Sequence, residues 1–385
     1  MIIYVFAIAL LCLIGGKPYL RGFNSNYLTK MSTDAVRGVF ILLIFAAHFI
    51  QYVEPFTAVL DILYRRFWVA MGQAVVTCFL FYSGYAIALN IQQKGEEYTR
   101  NMPHKRILPT LLTFDCAVML YLLVQLGRGN TYTLKRFIFS LVAWEGVGNS
   151  NWYIFAILGL WLITWLAMRK KELNAMTVAR VTVGALAFIL FLRCAGREPW
   201  WYNTILCYPM GMWFFLYKDK IESFMSKSGN YWVTAILTGL AYIVAHKFWN
   251  PSSGIVYMIT MLLFTLCVIF LTMKFNIRNP ILIYCGRHLS GLYFLHRIPF
   301  IILGDYLPYK SGPGIYLYFA LSLMAVFALE FLFSKGMAFL KTGSFCENQA
   351  RAKCLCKDGL HNAGGGLEDI GLKGYMTRTG FLYHV

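Results

Sequence analysis

The chain has 385 residues, of which 59% are hydrophobic and only 14% are charged, and its mean hydropathy is +0.58. This composition excludes an ordinary soluble domain and predicts an integral membrane protein. The formal net charge of +18 would suggest a nucleic-acid partner in a soluble chain, but here most Lys and Arg residues lie in alternate loops between apolar segments and in the C-terminal tail. That distribution is the positive-inside bias of membrane proteins, so we expect no nucleic-acid partner and place these loops in the cytoplasm.

Apolar runs long enough to cross a hydrocarbon core of about 30 Å follow one another along the chain. They predict an all-α, polytopic integral membrane protein with about 10–11 transmembrane helices, at 2–16, 38–53, 69–91, 108–127, 152–168, 181–194, 203–217, 232–248, 254–273, 280–304 and 314–341. Because the first run lacks a basic flank, we interpret it as a spanning helix rather than a cleaved signal peptide. Residues 1–341 are thus predicted to form one transmembrane domain, and the glycine-rich residues 342–385 a disordered cytoplasmic tail.

Two ionisable residues, Arg37 and His48, stand in an otherwise apolar segment early in the chain. At about 100° per residue, eleven positions return almost to the starting direction, so both side chains share one helix face. His48 then lies about 16 Å further along the helix axis than Arg37, and Asp34 is one turn before Arg37. Such residues in a membrane helix indicate a functional site, with His48 as a general base and Arg37 as a phosphate or carboxylate ligand. A topology-setting anchor and an interhelical hydrogen bond are the structural alternatives.

A predicted loop over 92–109 gathers basic residues at the cytoplasmic mouth of a helix. Arg100, Lys105 and Arg106 are candidates to hold a polyphosphate-bearing substrate. The alternative is that these charges only set topology.

A second histidine repeats the geometry of His48 late in the chain. His296 is sixteen residues into the predicted helix 280–304, and Ser290 and Tyr293 precede it at intervals of three. Two histidines at similar depth predict a polar cavity that opens toward the outside. No paired cysteine spacing, P-loop or nucleophile elbow occurs in the sequence, and we expect no metal ion.

Taken together, these segments resemble the membrane-bound acyltransferase-3 family, of the type that acetylates surface polysaccharides. The first signature is Asp34-Ala-Val-Arg37-Gly38 followed by His48. The remaining matches, in family order within roughly residues 30–335, are LFYSGYAIAL, KRILP, NWYIFAI, YPMGMWF and GRHLSGLYFLH.

The resemblance implies a multi-pass enzyme of the bacterial cytoplasmic (inner) membrane, with residues 1–341 as its acyltransferase domain. Such an enzyme moves an acyl group, usually acetyl, from cytoplasmic acyl-CoA to a hydroxyl of a cell-surface polysaccharide or its lipid-linked precursor. Acetyl-CoA is then a donor substrate, no cofactor is bound, and membrane lipids surround the protein. Many family members carry an additional soluble domain; without one, transfer is direct or needs a separate partner protein.

The resemblance also implies roles for individual residues. Arg37 and His48 would be essential, and Arg106 would belong to a basic pair near the CoA entrance. We predict that Arg37, Lys105 and Arg100 bind CoA together with Arg106. Beyond the resemblance, we predict that Tyr293 and His296 orient the acceptor hydroxyl or stabilise the oxyanion. The sequence departs from the family pattern at Pro103, where a second arginine is common.

Two other classes of function fit the same residues. A secondary transporter of an organic anion or sugar precursor would use Arg37 as a substrate ligand and His48 as a proton relay. A non-catalytic scaffold would tolerate the loss of both residues. Release of free CoA from acyl-CoA in the presence of an acceptor distinguishes an acyltransferase from either alternative.

Overall fold

The structure, a computed structural model, is 81% helical and describes residues 2–19, 22–53, 59–169, 171–248, 254–307 and 314–361, without the side chains of 59–61 and 341–361. Its helices, in chain order, are α1 (Ile2–Leu13), α2 (Lys30–Phe49), α3 (Val59–Met71), α4 (Ala74–Met102), α5 (Leu108–Gly127), α6 (Leu134–Leu141), α7 (Trp152–Met168), α8 (Ala175–Cys194), α9 (Cys207–Leu216), α10 (Lys218–Met225), α11 (Ser228–Lys247), α12 (Ile255–Lys274), α13 (Pro280–Arg287), α14 (Leu289–Leu295), α15 (Arg297–Tyr306) and α16 (Gly314–His361). Strands β1 (Lys17–Pro18) and β2 (Phe275–Asn276) pair antiparallel, with Lys17 opposite Asn276.

Five segments of the described chain are long and apolar enough to cross a membrane, namely Lys30–Tyr52, Ile62–Gly127, Ala175–Cys194, Ile255–Lys274 and Gly314–Leu340. The second of these has 66 residues, several times the 20 or so that one crossing requires. Large apolar side chains also point outward on many helices; Leu123 is 65% exposed and Ile243 62%. Water would oppose such exposure and hydrocarbon favours it. The prediction of an all-α, multi-pass membrane protein is confirmed.

Helices α2 and α13 cross at very close range. This crossing brings together the residues of the site described below. A Cβ atom added to Gly38 would overlap the carbonyl of Leu282, and one added to Gly286 would overlap the carbonyl of Asp34. Only glycine at both positions allows the two backbones to approach so closely. The N-termini of the two helices lie at the same end of the bundle, because Ser32 near the start of α2 hydrogen-bonds Asn276, which shortly precedes α13 (3.2 Å).

The predicted helix 280–304 is helical in the structure, but it is divided into α13, α14 and α15. One break falls at His296, immediately before α15. Pro299 explains it, because its ring would clash with the carbonyl of Leu295 in a continuous helix, and it has no N–H to donate. Hydrophobicity alone does not reveal such a break.

The predicted basic loop 92–109 is also wrong, because the chain is helical throughout this region. Helix α4 continues to Met102 with a kink at Gly95, where φ is +58°, and a π-helical turn over Pro103–Ile107 leads directly into α5. The N–H of Leu108 donates to the carbonyl of Pro103, as π geometry requires. The basic residues are therefore held on a helical backbone.

At the C-terminal end, α16 continues beyond Lys341, after which we predict disorder, as far as His361. The residues after Lys341 include Glu, Gln, Arg, Lys and Ala, which have high helix propensity. Residues 362–385 lie outside the described residues, so for them disorder stays a prediction. The described residues discussed below belong to the compact unit formed by residues 1–327; a second unit spans 328–385.

Candidate active site

Where α2 and α13 cross, the buried carboxylate of Asp34 lies close to two arginines. Asp34 is 1% exposed and forms an ion pair with Arg37, one turn later on α2. Its second oxygen lies 3.6 Å from Nε of Arg287, whose side chain is 60% exposed. One negative and two positive charges leave this cluster with a net charge of +1. Such a cluster favours an anionic ligand, and planar guanidinium groups match phosphate oxygens in particular.

Arg287 was not among the predicted site residues. The residue becomes part of the site because α13 packs against the first turns of α2, and no local spacing announces that contact. The glycines on both helices, Gly38 and Gly286, were the available signal, since small residues mark close helix crossings in membranes.

Arg106 is held at a second point at the same end of the bundle. Its guanidinium carbon lies 4.4 Å from the ring centroid of Trp161, a cation–π contact, and its Nη1 donates to the Tyr98 hydroxyl (3.2 Å). The indole N–H of Trp161 in turn donates to Oγ of Ser83 (2.9 Å). Segments that are far apart in sequence thus combine to fix one arginine.

The other two residues of the predicted CoA-binding set take no part in this arrangement. Arg100 and Lys105 are exposed on the helical surface, whereas Arg106 is partly buried. The structure thus brings Arg106 inward and leaves Arg100 and Lys105 outside. Their predicted role in binding CoA stays a prediction.

The two predicted histidines, 248 positions apart in sequence, are in direct contact. Nδ1 of His48 lies 2.6 Å from Nε2 of His296. The two rings are stacked, with centroids 4.7 Å apart and planes inclined by 14°. His296 is 1% exposed and His48 is half-buried. Since His48 is on α2 and His296 is at the break before α15, the pair joins the same two parts of the bundle as Arg37 and Arg287.

Hydrogen bonding assigns the tautomers of this pair. Nδ1 of His296 lies 2.7 Å from the carbonyl oxygen of Tyr293, which can only accept, so Nδ1 must carry the proton. In neutral His296 the other nitrogen, Nε2, is then an acceptor, and Nδ1 of His48 must donate to it. In neutral His48, Nε2 is consequently the unprotonated nitrogen and has the lone pair of a base.

Aromatic side chains connect the arginine end of the bundle with the histidine pair. Tyr153 on α7 is close enough to Arg37 and Arg106 to interact electrostatically with both. Its ring packs edge-on against Tyr293, with centroids 5.3 Å apart, and the Tyr293 ring is 5.7 Å from that of His296. The Tyr293 hydroxyl is buried and has no hydrogen-bond partner among the described residues. A buried donor in this state is available to a substrate oxygen.

Residues of α5 and of the segment before α7 contact Arg297, which directly follows His296 in the chain. Arg297 donates from Nε to Oγ of Ser150 (2.9 Å), and its backbone N–H donates to the Tyr121 hydroxyl (3.2 Å). These contacts, which were not predicted from the sequence, hold the start of α15 in place beside α5. Ser290, which was predicted to share a face with Tyr293 and His296, is half-buried on α14.

Within the described residues, no group of three or more His, Cys, Asp or Glu side chains is arranged to hold a metal ion. The arginine, histidine and tyrosine side chains of the site can bind an anion, transfer a proton and donate a hydrogen bond to an oxyanion.

Comparison with known proteins gives one match. The family model described as Acyltransferase domain matches residues 32–334, a range that includes every site residue named above. This match confirms the resemblance found in the sequence motifs. Searches of curated proteins and of solved structures gave no significant match.

Proposed function

Given that the chain belongs to the Acyltransferase domain family, we propose that this membrane O-acyltransferase takes an acetyl group from cytoplasmic acetyl-CoA. The acceptor is a hydroxyl of a cell-surface polysaccharide or of its lipid-linked precursor, and the membrane is the bacterial inner membrane. The contact between His48 and His296 is the observation that carries the proposal, because it creates a base with a defined free nitrogen deep in the bundle.

The donor is held at the arginine end of the bundle. CoA carries a diphosphate and a further phosphate, and the net positive cluster of Arg37, Asp34 and Arg287 suits such an anion. Arg106 supplies another guanidinium, whose position is maintained by Trp161. From Arg37 to His48 the distance along α2 is about 16 Å. An extended pantetheine arm covers such a distance, so the phosphates remain at the surface while the thioester reaches the histidines.

The proton transfer follows from the tautomers. Nε2 of His48 accepts the proton of the acceptor hydroxyl while the hydroxyl oxygen attacks the thioester carbonyl carbon. The resulting imidazolium is stabilised because its Nδ1–H donates to Nε2 of His296, whose ring is in turn fixed by the Tyr293 carbonyl. When the tetrahedral intermediate collapses, the C–S bond breaks, the ester forms and the thiolate of CoA takes the proton from His48. The unpartnered Tyr293 hydroxyl is the candidate donor to the oxyanion.

The test compares cells that express the wild-type chain, His48→Gln, or neither. We expect the mass of an acetyl group on surface glycans only with the wild type, because loss of a general base costs about 10²- to 10⁴-fold in rate. His104→Gln is the matched control, since His104 is exposed and outside the proposed site. Full acetylation by His48→Gln at normal abundance would refute the assignment of the base.

Absence of acetylation in every cell line would contradict the glycan as acceptor. In that case the purified chain in vesicles, supplied with acetyl-CoA and candidate acceptors, would be assayed for free CoA. Transport without release of CoA would identify the chain as a carrier and remove the proposal altogether.

A further inference from the structure

A second polar site lies at the opposite end of the bundle from Arg106. A cavity of about 340 Å³, which we call the α3 pocket, is lined by Ile62, Arg65, Arg66, Val69, Ala70 and His246. Its two arginines have no part in the acyl-transfer site. Of α3, only residues 69–71 fall within a predicted membrane span.

The five pocket residues of α3 have the spacing of one helix face: i, i+3, i+4, i+7 and i+8. This face is open, since Ile62 is 41% exposed and Val69 is 65% exposed. The other face is buried through Tyr64 and Trp68, and the Tyr64 hydroxyl donates to the carbonyl of Ala46 on α2 (2.9 Å). Because Tyr64 and Trp68 pack one face of α3 against the bundle, the arginines and apolar side chains of the opposite face are exposed together.

The charge of the pocket is not neutralised by any carboxylate among the described side chains. Arg65 and Arg66 form no ion pair with any carboxylate whose side chain is described. Adjacent to them, the imidazole of His246 on α11 adds further hydrogen-bonding capacity. Two guanidinium groups that no described carboxylate pairs with are well suited to bind a phosphate, whose oxygens they can contact in pairs.

Because of the position of α3, the charges of Arg65 and Arg66 lie at the level where helices of the bundle begin and end. Helix α3 lies between the end of α2 and the start of α4, and the backbone N–H of Gln73, just before α4, donates to the Tyr257 hydroxyl near the start of α12 (3.0 Å). Helix ends of a membrane bundle are the level of lipid headgroups, whereas the apolar residues of the same face would meet lipid chains.

We propose that the α3 pocket binds the phosphate of a membrane lipid. Arg65 and Arg66 contact the phosphate oxygens, and Ile62, Val69 and Ala70 contact the first segments of the hydrocarbon chain. A free phosphate ion would use the arginines alone, and the exposed apolar residues on the same helix face favour the lipid. This proposal is independent of acyl transfer.

The test uses native mass spectrometry on the full chain in detergent. The chain is titrated with phosphatidylglycerol, with diacylglycerol of the same chains and without phosphate, and with inorganic phosphate alone. We expect phosphatidylglycerol to bind at least tenfold more tightly than either of the other two. The double variant R65Q/R66Q should lose about tenfold in affinity, because charge-assisted hydrogen bonds to the phosphate are removed.

Two further variants distinguish specific binding of the lipid in the α3 pocket from a general effect of positive charge. R193Q removes an exposed arginine at the end of α8 and should bind like the wild type, and R65K/R66K should recover part of the affinity. Size-exclusion chromatography checks that every variant folds. Equal binding of diacylglycerol, or unchanged binding by R65Q/R66Q, would overturn the proposal. Binding of inorganic phosphate as tight as that of phosphatidylglycerol would make this a free-phosphate site and would refute the lipid.

Discussion

The hydrogen bond between the two histidines makes a quantitative prediction for His296→Leu. His296 is 1% exposed, so leucine can occupy its place without exposing apolar surface. The change removes the acceptor that lies 2.6 Å from Nδ1 of His48. His48 then loses both the partner that selects its tautomer and the stabilisation of its imidazolium. We expect slower catalysis, although the base itself is still present.

The magnitude follows from the type of bond. A hydrogen bond to a charged group contributes about 1.5–3 kcal/mol, and each 1.36 kcal/mol in the barrier changes the rate about tenfold. His296→Leu should therefore lower kcat by about 10- to 150-fold. KM for acyl-CoA should stay unchanged, because His296 does not contact the donor phosphates. His48→Gln should lower kcat further, as expected for the base.

The assay is release of free CoA by the purified chain in vesicles, with the acceptor present, for the two single variants and the double variant. If His296 acts through His48, the double variant is no slower than His48→Gln alone. Multiplication of the two single effects in the double variant would refute the reasoning, because it would mean that the histidines act independently. A large rise in KM for His296→Leu would refute it as well.

Two further predictions concern the crossing of α2 and α13. Arg287→Gln should raise KM for acyl-CoA about tenfold by removing one charge-assisted contact. Arg278→Gln is the control, because Arg278 is also exposed near the same end of the bundle, and it should leave KM unchanged. An equal rise in KM for both variants would mean that only general surface charge matters. Gly286→Ala should lower the free energy of unfolding by about 1–3 kcal/mol through overpacking, because its Cβ would overlap the carbonyl of Asp34. Gly239→Ala is the matched control, since a Cβ there meets nothing within 4 Å; thermal unfolding in detergent compares the two, and equal melting temperatures would contradict the close crossing.

Local patterns in the sequence predict some elements closely. The bounds of α5 and α7 agree with the predicted runs 108–127 and 152–168, because each is a continuous apolar stretch with polar residues at its ends. Elements that depend on backbone chemistry or packing were missed. The break at His296 comes from Pro299, and the short helices α3, α6 and α10 are too short or too polar to register as membrane spans.

In the candidate site, too, relations within one helix were predictable from the sequence and contacts between helices were not. Helical periodicity alone places Asp34 beside Arg37 and aligns Arg37 with His48, since these relations lie within one helix. A second histidine at similar depth was also predictable, but its contact with the first was not. Nothing in the order of residues says which nitrogen of which ring faces the other.

The sequence by itself determined that this chain is a multi-pass membrane protein, that it belongs to an acyltransferase family, and that Arg37 and His48 share one helix. Composition, periodicity and short motifs are local properties, and they carry this information without a fold. Only the tertiary structure decided that His296 contacts His48, that Arg287 joins Asp34, and which nitrogen of His48 is free to act as the base. These features depend on how closely α2 and α13 cross, and that distance is set by the packing of glycine backbones far apart in the chain.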